Sequence, residues 1–175
     1  MFPEERLILN SLLGSQLIWQ STKAYQETHM QKKGIPLPIL FLILPLVFHE
    51  DTEALIKNMK TTTVLPQVTQ HPTKAVDGKS IKGLDILLGL EERCIDYSGI
   101  TWESINIALS AKFINKAQEK NENFLSFDAI KDLPKDIQPL SGTSSADMLK
   151  AAKRLGAWFS KQDIPSTLSI LRVQI

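Results

Sequence analysis

Three histidines and one cysteine are the side chains in this chain best suited to metal binding or nucleophilic catalysis. His29, His49 and His71 lie in three separate segments, whereas a zinc site normally contains a close pair such as H-x-x-x-H. Cys94 has no neighbouring histidine to activate it, so we expect a core or surface thiol rather than a nucleophile. The sequence therefore predicts no catalytic site, no metal site and no cofactor, and a protein that is not an enzyme.

Two further groupings suggest chemistry but have simpler interpretations. His49 is followed by Glu50 and Asp51, which could form an acid–base cluster. We expect instead that this histidine caps a break between two helices or forms a hydrogen bond there. Gly78 and Gly83 do not stand in the glycine-rich patterns of phosphate-binding loops.

A group of lysines is the constellation that could bind a ligand. One acid and five lysines occur between residues 57 and 82; the lysines are Lys57, Lys60, Lys74, Lys79 and Lys82. They could contact nucleic-acid phosphates, or they could form an ordinary solvated surface. The net charge of +1 argues against a chain that binds nucleic acid on its own, because such proteins carry a clear basic excess. The acids that follow, Asp85, Glu91 and Glu92, are interpreted as a solvated helix face.

Size and composition indicate a soluble globular protein. With 175 residues, of which 43% are hydrophobic and 22% charged, the chain can build one sizeable core, and we predict a single domain over residues 1–175. The single cysteine excludes an internal disulfide framework and fits a reducing cytosol. The first residues show no secretory signal, so the predicted location is cytoplasmic.

An uncharged apolar run, Ile35–Phe48, is the element around which the remainder must pack. At about fourteen residues it is shorter than the roughly twenty that a transmembrane helix requires. A continuous apolar run fits two buried strands or one helix equally well by periodicity. The leucines favour a helix from Pro38 that breaks near Pro45, because an internal proline removes a backbone donor. A second piece is predicted from Glu50 to Met59.

The segments around this run predict a winged-helix-like arrangement. A first helix is expected from about Pro3 to Thr28, and Asp77-Gly78 is a turn signal. A longer helix is expected near Lys79–Arg93, followed by a β-hairpin over Cys94–Trp102. Residues 38–102 would then have the order helix, helix, helix, hairpin, with Lys79 and Lys82 where the third helix could meet phosphates.

The C-terminal part, residues 103–175, is predicted to be helical. Helices are expected over about 103–119, 124–137 and 144–161, and the last of these has the clearest amphipathic spacing. The chain stays apolar to its end, which predicts a C-terminus packed on the core or paired with a partner. The candidate partner-binding residues there are Leu168, Leu171, Val173 and Ile175. The predicted fold class is mainly α (α+β), a compact helical domain with a winged-helix-like segment.

Two stretches resemble the middle components of bacterial three-component ABC systems. Leu42-Ile-Leu-Pro-Leu-Val-Phe-His49 is similar to a core motif of these proteins. Lys153-Arg-Leu-Gly-Ala-Trp-Phe159, followed by Ser169-Ile-Leu-Arg-Val173, is similar to their C-terminal signature. Arg172 departs from the pattern, which usually has glycine at this position. The resemblance covers nearly the whole chain.

This resemblance implies a small, non-enzymatic subunit that works in a complex. Such middle components are encoded between an SMC-like ABC ATPase and a variable effector, often a nuclease, as in the Lamassu-type anti-phage and anti-plasmid systems. The implied partners are the ATPase and the effector nuclease, with DNA sensed through the complex. Two alternatives remain: a stand-alone winged-helix DNA-binding regulator, and a helical domain that binds a small ligand in an apolar pocket.

Overall fold

The computed structural model describes residues 10–74, 78–138 and 142–174, which are mainly helical with a little antiparallel sheet. In chain order the elements are α1 (Ser11–Thr28), β1 (Ile35–Pro36), α2 (Leu37–Val47), α3 (Glu50–Lys57), α4 (Leu65–Gln70), β2 (Pro72–Lys74), β3 (Ser80–Lys82), α5 (Gly83–Ile86), α6 (Leu90–Asp96), α7 (Ser98–Ser110), β4 (Ile114–Lys116), β5 (Ser126–Ala129), a 3₁₀ turn (Lys135–Ile137), α8 (Ser144–Phe159) and α9 (Ile164–Leu171). The predicted mainly α fold class is confirmed, but the winged-helix-like segment is not.

The apolar run forms the buried helix α2, as predicted. Leu40, Leu42, Ile43 and Leu44 are all 0% exposed. The predicted break near Pro45 is present but comes two residues later, because this proline lies inside the helix, in its last turn. A proline this close to the C-terminus deprives the helix of one hydrogen bond without interrupting a long ladder. The break comes after Val47, and α3 begins at Glu50.

The longest helix, α1, packs along α8 and α7 at the centre of the fold. Its first described turn is capped by Asn10, whose side chain accepts the Leu12 N–H at 2.7 Å. The predicted start near Pro3 lies outside the described residues. The prediction for α8 is confirmed, with Thr143 as its N-cap.

Glycine at position 156 sets how closely α8 approaches α1. A Cβ atom built on Gly156 would clash with the backbone carbonyl of Ser21 in α1. The next two large side chains, Trp158 and Phe159, are 0% exposed, and the Trp158 indole donates a hydrogen bond to the Lys60 carbonyl at 2.8 Å. The glycine therefore allows the two backbones to touch, and both aromatic rings belong to the same core.

A small antiparallel sheet occurs where helices were predicted. The strand order is β1-β5-β4, with Ile35 opposite Phe127 and Ile114 opposite Ala129. The predicted helix over 103–119 is therefore wrong after Ser110, and the predicted helix over 124–137 is wrong except for the 3₁₀ turn Lys135–Ile137. Short strands of this kind depend on partners distant in sequence, which local periodicity does not reveal.

A buried asparagine holds the connection between β4 and β5 against α1. The Asn121 amide donates to the Tyr25 hydroxyl at 3.0 Å and to the Gly34 carbonyl at 3.2 Å, and Asn121 is only 3% exposed. Burial raises the pKa of Tyr25 to about 12, partly offset by this hydrogen bond. The sheet and the central helix are thus joined by a polar contact whose groups satisfy one another.

The predicted hairpin over Cys94–Trp102 is wrong, since these residues lie in α6, in the start of α7 and at Tyr97 between them. The predicted single helix over 79–93 is also wrong, because these residues form the strand β3 and the two short helices α5 and α6. Gly89 adopts φ +77°, which ends the helical path between α5 and α6. An order of three helices followed by a hairpin does occur, over residues 37–82, but without the predicted long third helix.

Gly156→Ala tests the close approach of α1 and α8. We expect the added methyl group to force the helices apart and to lower the free energy of unfolding by about 1–3 kcal/mol. The measurement is thermal or urea unfolding followed by circular dichroism.

Gly99→Ala is the matched control, because a Cβ atom at Gly99, within α7, meets open space. This substitution should leave stability unchanged or raise it by up to about 1 kcal/mol. Equal effects of the two substitutions would contradict the proposed helix contact.

Candidate functional surfaces

The histidines do not come together. His29 follows α1, where its Nδ1 accepts the Gln31 N–H at 3.1 Å, and His71 follows α4. His49 occupies the N-cap position of α3 through its backbone, and its buried Nδ1 lacks a protein partner. Burial lowers the pKa of His49, and the charge of Arg93 adds to this effect. In residues 10–74, 78–138 and 142–174 there is no group of three or more side chains that could hold a metal ion.

Cys94 is a buried free thiol in α6. Burial raises its pKa to about 11, which outweighs the opposite effect of the adjacent Arg93. A thiol with this pKa is almost entirely protonated at neutral pH and is a poor nucleophile.

Arg93 itself connects three helices instead of facing a ligand. Its guanidinium donates to the Pro45 carbonyl at 3.3 Å, the Thr52 hydroxyl at 3.3 Å and the Ile86 carbonyl at 3.4 Å. Two of these acceptors lie at the C-terminal ends of helices, where a cation is favoured. The contacts fix α6 against α2, α3 and α5.

The five lysines are divided between two places. Lys57 forms an ion pair with Asp147 of α8 at 2.8 Å, which raises the pKa of Lys57 and lowers that of Asp147. Lys60 follows α3 and is exposed. The others lie in or beside the hairpin β2–β3: Lys74 in β2, Lys82 in β3, and Lys79 just before β3. Lys79 and Lys82 are exposed. We call this β2–β3 unit the lysine hairpin.

A groove lies next to the lysine hairpin in sequence and has the opposite charge. It has a volume of about 220 Å³ and lies between α5, α6 and the end of α9. Its lining includes Leu84, Leu87, Leu88 and Leu171. We call it the α6 groove.

The surface around the α6 groove combines apolar and acidic side chains. Leu88 and Ile95 are 61% and 69% exposed, high values for large apolar residues. Asp85, Glu92 and Asp96 are exposed on the same short elements. Residues 83–111 contain five acids and one base, Arg93, whose guanidinium is engaged internally. Sequence analysis treated the acids as a solvated helix face, although the change from lysine-rich to acid-rich sequence was visible.

The predicted partner residues at the C-terminus lie mostly inside the chain. Leu171 and Val173 are 2% and 5% exposed, so this part of the C-terminus is packed on the core. Their burial leaves these two side chains little surface for a partner. Leu168 is half-buried, and Ile175 lies outside the described residues. Arg172 adopts φ +55° at the C-cap of α9, a left-handed conformation that favours glycine. The resemblance implies glycine at this position, and glycine adopts this conformation without strain.

A family model described as ABC-three component (ABC-3C) system Middle Component 3 matches residues 2–175. The chain belongs to this family. The resemblance carried by the two sequence motifs is thereby confirmed, and this middle component is one part of a three-component ABC system. Comparison with curated proteins and with solved structures gave no match.

The middle component contains no helix, among the residues that the structure describes, that is long and apolar enough to cross a membrane. The buried helix α2 is only 11 residues long, and its apolar side chains are turned into the chain's own core.

The buried state of Cys94 predicts slow reaction with a thiol reagent. Folded protein should react with Ellman's reagent about a hundredfold more slowly than protein unfolded in guanidinium, because burial both shields the sulfur and suppresses the thiolate. The measurement is the rate of colour development at pH 8. The Cys94→Ser variant serves as the blank, and equal rates in the folded and unfolded protein would contradict a buried thiol.

Proposed function

We propose that this middle component is a non-enzymatic accessory subunit that links an SMC-like ABC ATPase to an effector nuclease in an anti-phage or anti-plasmid complex. The family match over residues 2–175 carries this proposal. The chemistry of the chain supports it, since its one thiol is buried and its histidines lie apart. A subunit of this kind contributes contacts, and the reactive groups belong to its partners.

Surface features support a role in binding. Isolated exposed hydrophobic residues are common on soluble proteins, but Leu88 lines the α6 groove together with Glu91 and Glu92, and Ile95 lies one helical turn beyond Glu91 on α6. The lysine hairpin supplies a second surface with the opposite charge. Two charged surfaces with different chemistry suit a protein that contacts two different partners.

Co-expression with the ATPase and the effector from the neighbouring genes tests this proposal. We expect an affinity-tagged middle component to retain both proteins through size-exclusion chromatography at about 0.15 M salt, where surface charge is substantially screened. The readout is the set of proteins in the peak, with their stoichiometry.

An unrelated tagged protein of similar size is the control for adventitious binding. In cells, the complete three-gene system should protect against phage infection or plasmid maintenance, and deletion of this component should remove the protection. Elution of the middle component as a lone monomer, with neither protein retained, would refute the proposed function.

The exposed lysines favour a further role in DNA contact, exerted within the complex. Lys79 lies just before the second hairpin strand, Lys82 lies at the end of that strand, and Lys74 lies in the first strand. The net charge of +1 makes the isolated chain a weak DNA binder. The stand-alone regulator is the competing function, and it requires tight, salt-sensitive DNA binding by the isolated chain.

Charge reversal of the lysine hairpin distinguishes these functions. In the assembled complex, Lys79→Glu with Lys82→Glu should weaken DNA binding about tenfold or more and reduce the salt slope by about two. The measurement is a salt titration by fluorescence anisotropy.

Lys116→Glu with Lys153→Glu makes the same change in net charge at exposed positions elsewhere, in β4 and α8. This control pair should have a smaller effect. Equal losses for the two pairs would contradict a specific contact, and tight binding by the isolated chain would favour the regulator.

A further inference from the structure

We infer that the α6 groove is the docking site for a basic, amphipathic segment of one of the other two components, which inserts an apolar side chain between flanking lysines or arginines. This inference rests on the proposed function, because it identifies the surface through which the accessory subunit holds a partner.

The size of the α6 groove favours a side chain over a small-molecule ligand. Pockets for cofactors and drug-sized ligands usually measure about 300–1,000 Å³. The groove has a volume of about 220 Å³, and its floor is formed by the leucines 84, 87 and 171. Leu87 and Leu171 are 5% and 2% exposed, so they are held in place by the core beneath them. A rigid, shallow, apolar floor suits one or two inserted side chains.

Two exposed apolar residues need a partner to be buried: Leu88, which lines the groove, and Ile95, one helical turn beyond the lining residue Glu91. Leu88 immediately precedes Gly89, whose φ of +77° turns the chain so that α6 begins in a new direction. Ile95 lies near the other end of α6. Removing large apolar side chains like these from water is favourable, at roughly 1.5–3 kcal/mol for each fully buried residue. They are therefore the expected anchors of a contact.

The position of the groove is fixed before any partner arrives. Arg93, on α6, donates to carbonyl groups of α2 and α5 and to the Thr52 hydroxyl of α3. On the opposite side, the Glu91 carboxylate accepts the Gln174 N–H at 3.3 Å, which places the described end of the chain at the rim. A surface that is already ordered loses less entropy on binding.

Charge selects the class of partner. Glu91 and Glu92 line the groove, with Arg172 as the base among the lining residues, and Asp85 and Asp96 are exposed on the same two short helices, α5 and α6. Such a rim repels the phosphates of nucleic acid and anionic lipid headgroups, and it attracts lysine or arginine side chains. The complementary ligand is thus a protein segment with an apolar anchor and flanking positive charges.

Two double variants test the docking site in the complete co-expressed system. Leu88→Asp with Ile95→Asp removes the apolar anchors, and Glu92→Lys with Asp96→Lys reverses the rim charge. All four side chains are exposed, so both variants should fold, as checked by circular dichroism and thermal unfolding. Each double variant should reduce the recovery of one partner component about tenfold or more at about 0.15 M salt, and both variants should affect the same component. For the charge variant, the loss should grow as salt is lowered, because repulsion is then less screened.

Leu12→Asp with Glu103→Lys is the matched control, because it changes one exposed apolar and one exposed acidic residue on α1 and α7. It should retain both components. If the unmodified chain retains its partners and both groove variants retain them equally well, the docking site is wrong and the proposed function stands. If the unmodified chain retains neither component, the docking site and the proposed function are both wrong. Self-association of the chain that is lost in the groove variants would assign the groove to a second copy and overturn the inference.

Discussion

The close approach of α8 to α1 at Gly156 is the constraint on which the rest of the fold depends. It brings two helix backbones together, and Trp158 and Phe159 of the same helix are fully buried in the core. The same central helix, α1, receives α7 on another face and is joined to the sheet through Asn121. Both candidate surfaces extend from this core: the lysine hairpin follows α4, and the α6 groove uses the end of α9.

Arg93 fixes the groove to the core, because it lies on α6 and its guanidinium donates hydrogen bonds to three neighbouring helices. An arginine that is partly buried without a directly bonded carboxylate is costly unless carbonyl and hydroxyl oxygens replace its hydration. Here three such oxygens, from α2, α3 and α5, do so. The guanidinium of Arg93 is therefore not available to the exposed acids of α5 and α6, and Arg172 is the base that lines the groove with Glu91 and Glu92.

Sequence analysis succeeded where a pattern was local and failed where a partner was distant. The spacing in α8 and the continuous apolar run of α2 were sufficient to predict both helices. The alternation over residues 94–102 was misinterpreted as a hairpin, because local alternation cannot show that this segment packs on α2 as two helices. The strands β1, β4 and β5 exist only as a set, so none could be recognised alone. The groove requires α9 to fold back beside α5, which spacing does not reveal.

Carbodiimide cross-linking of the assembled complex tests most directly that the α6 groove binds a basic partner segment. The reagent joins carboxylates to lysines that are already in contact, without a spacer. We predict that Glu92 and Asp96 are joined to lysines of one partner component, and that high salt, which weakens charge pairing, reduces these products. Cross-links to that partner from acids elsewhere on the chain, with none from Glu92 or Asp96, would contradict the account.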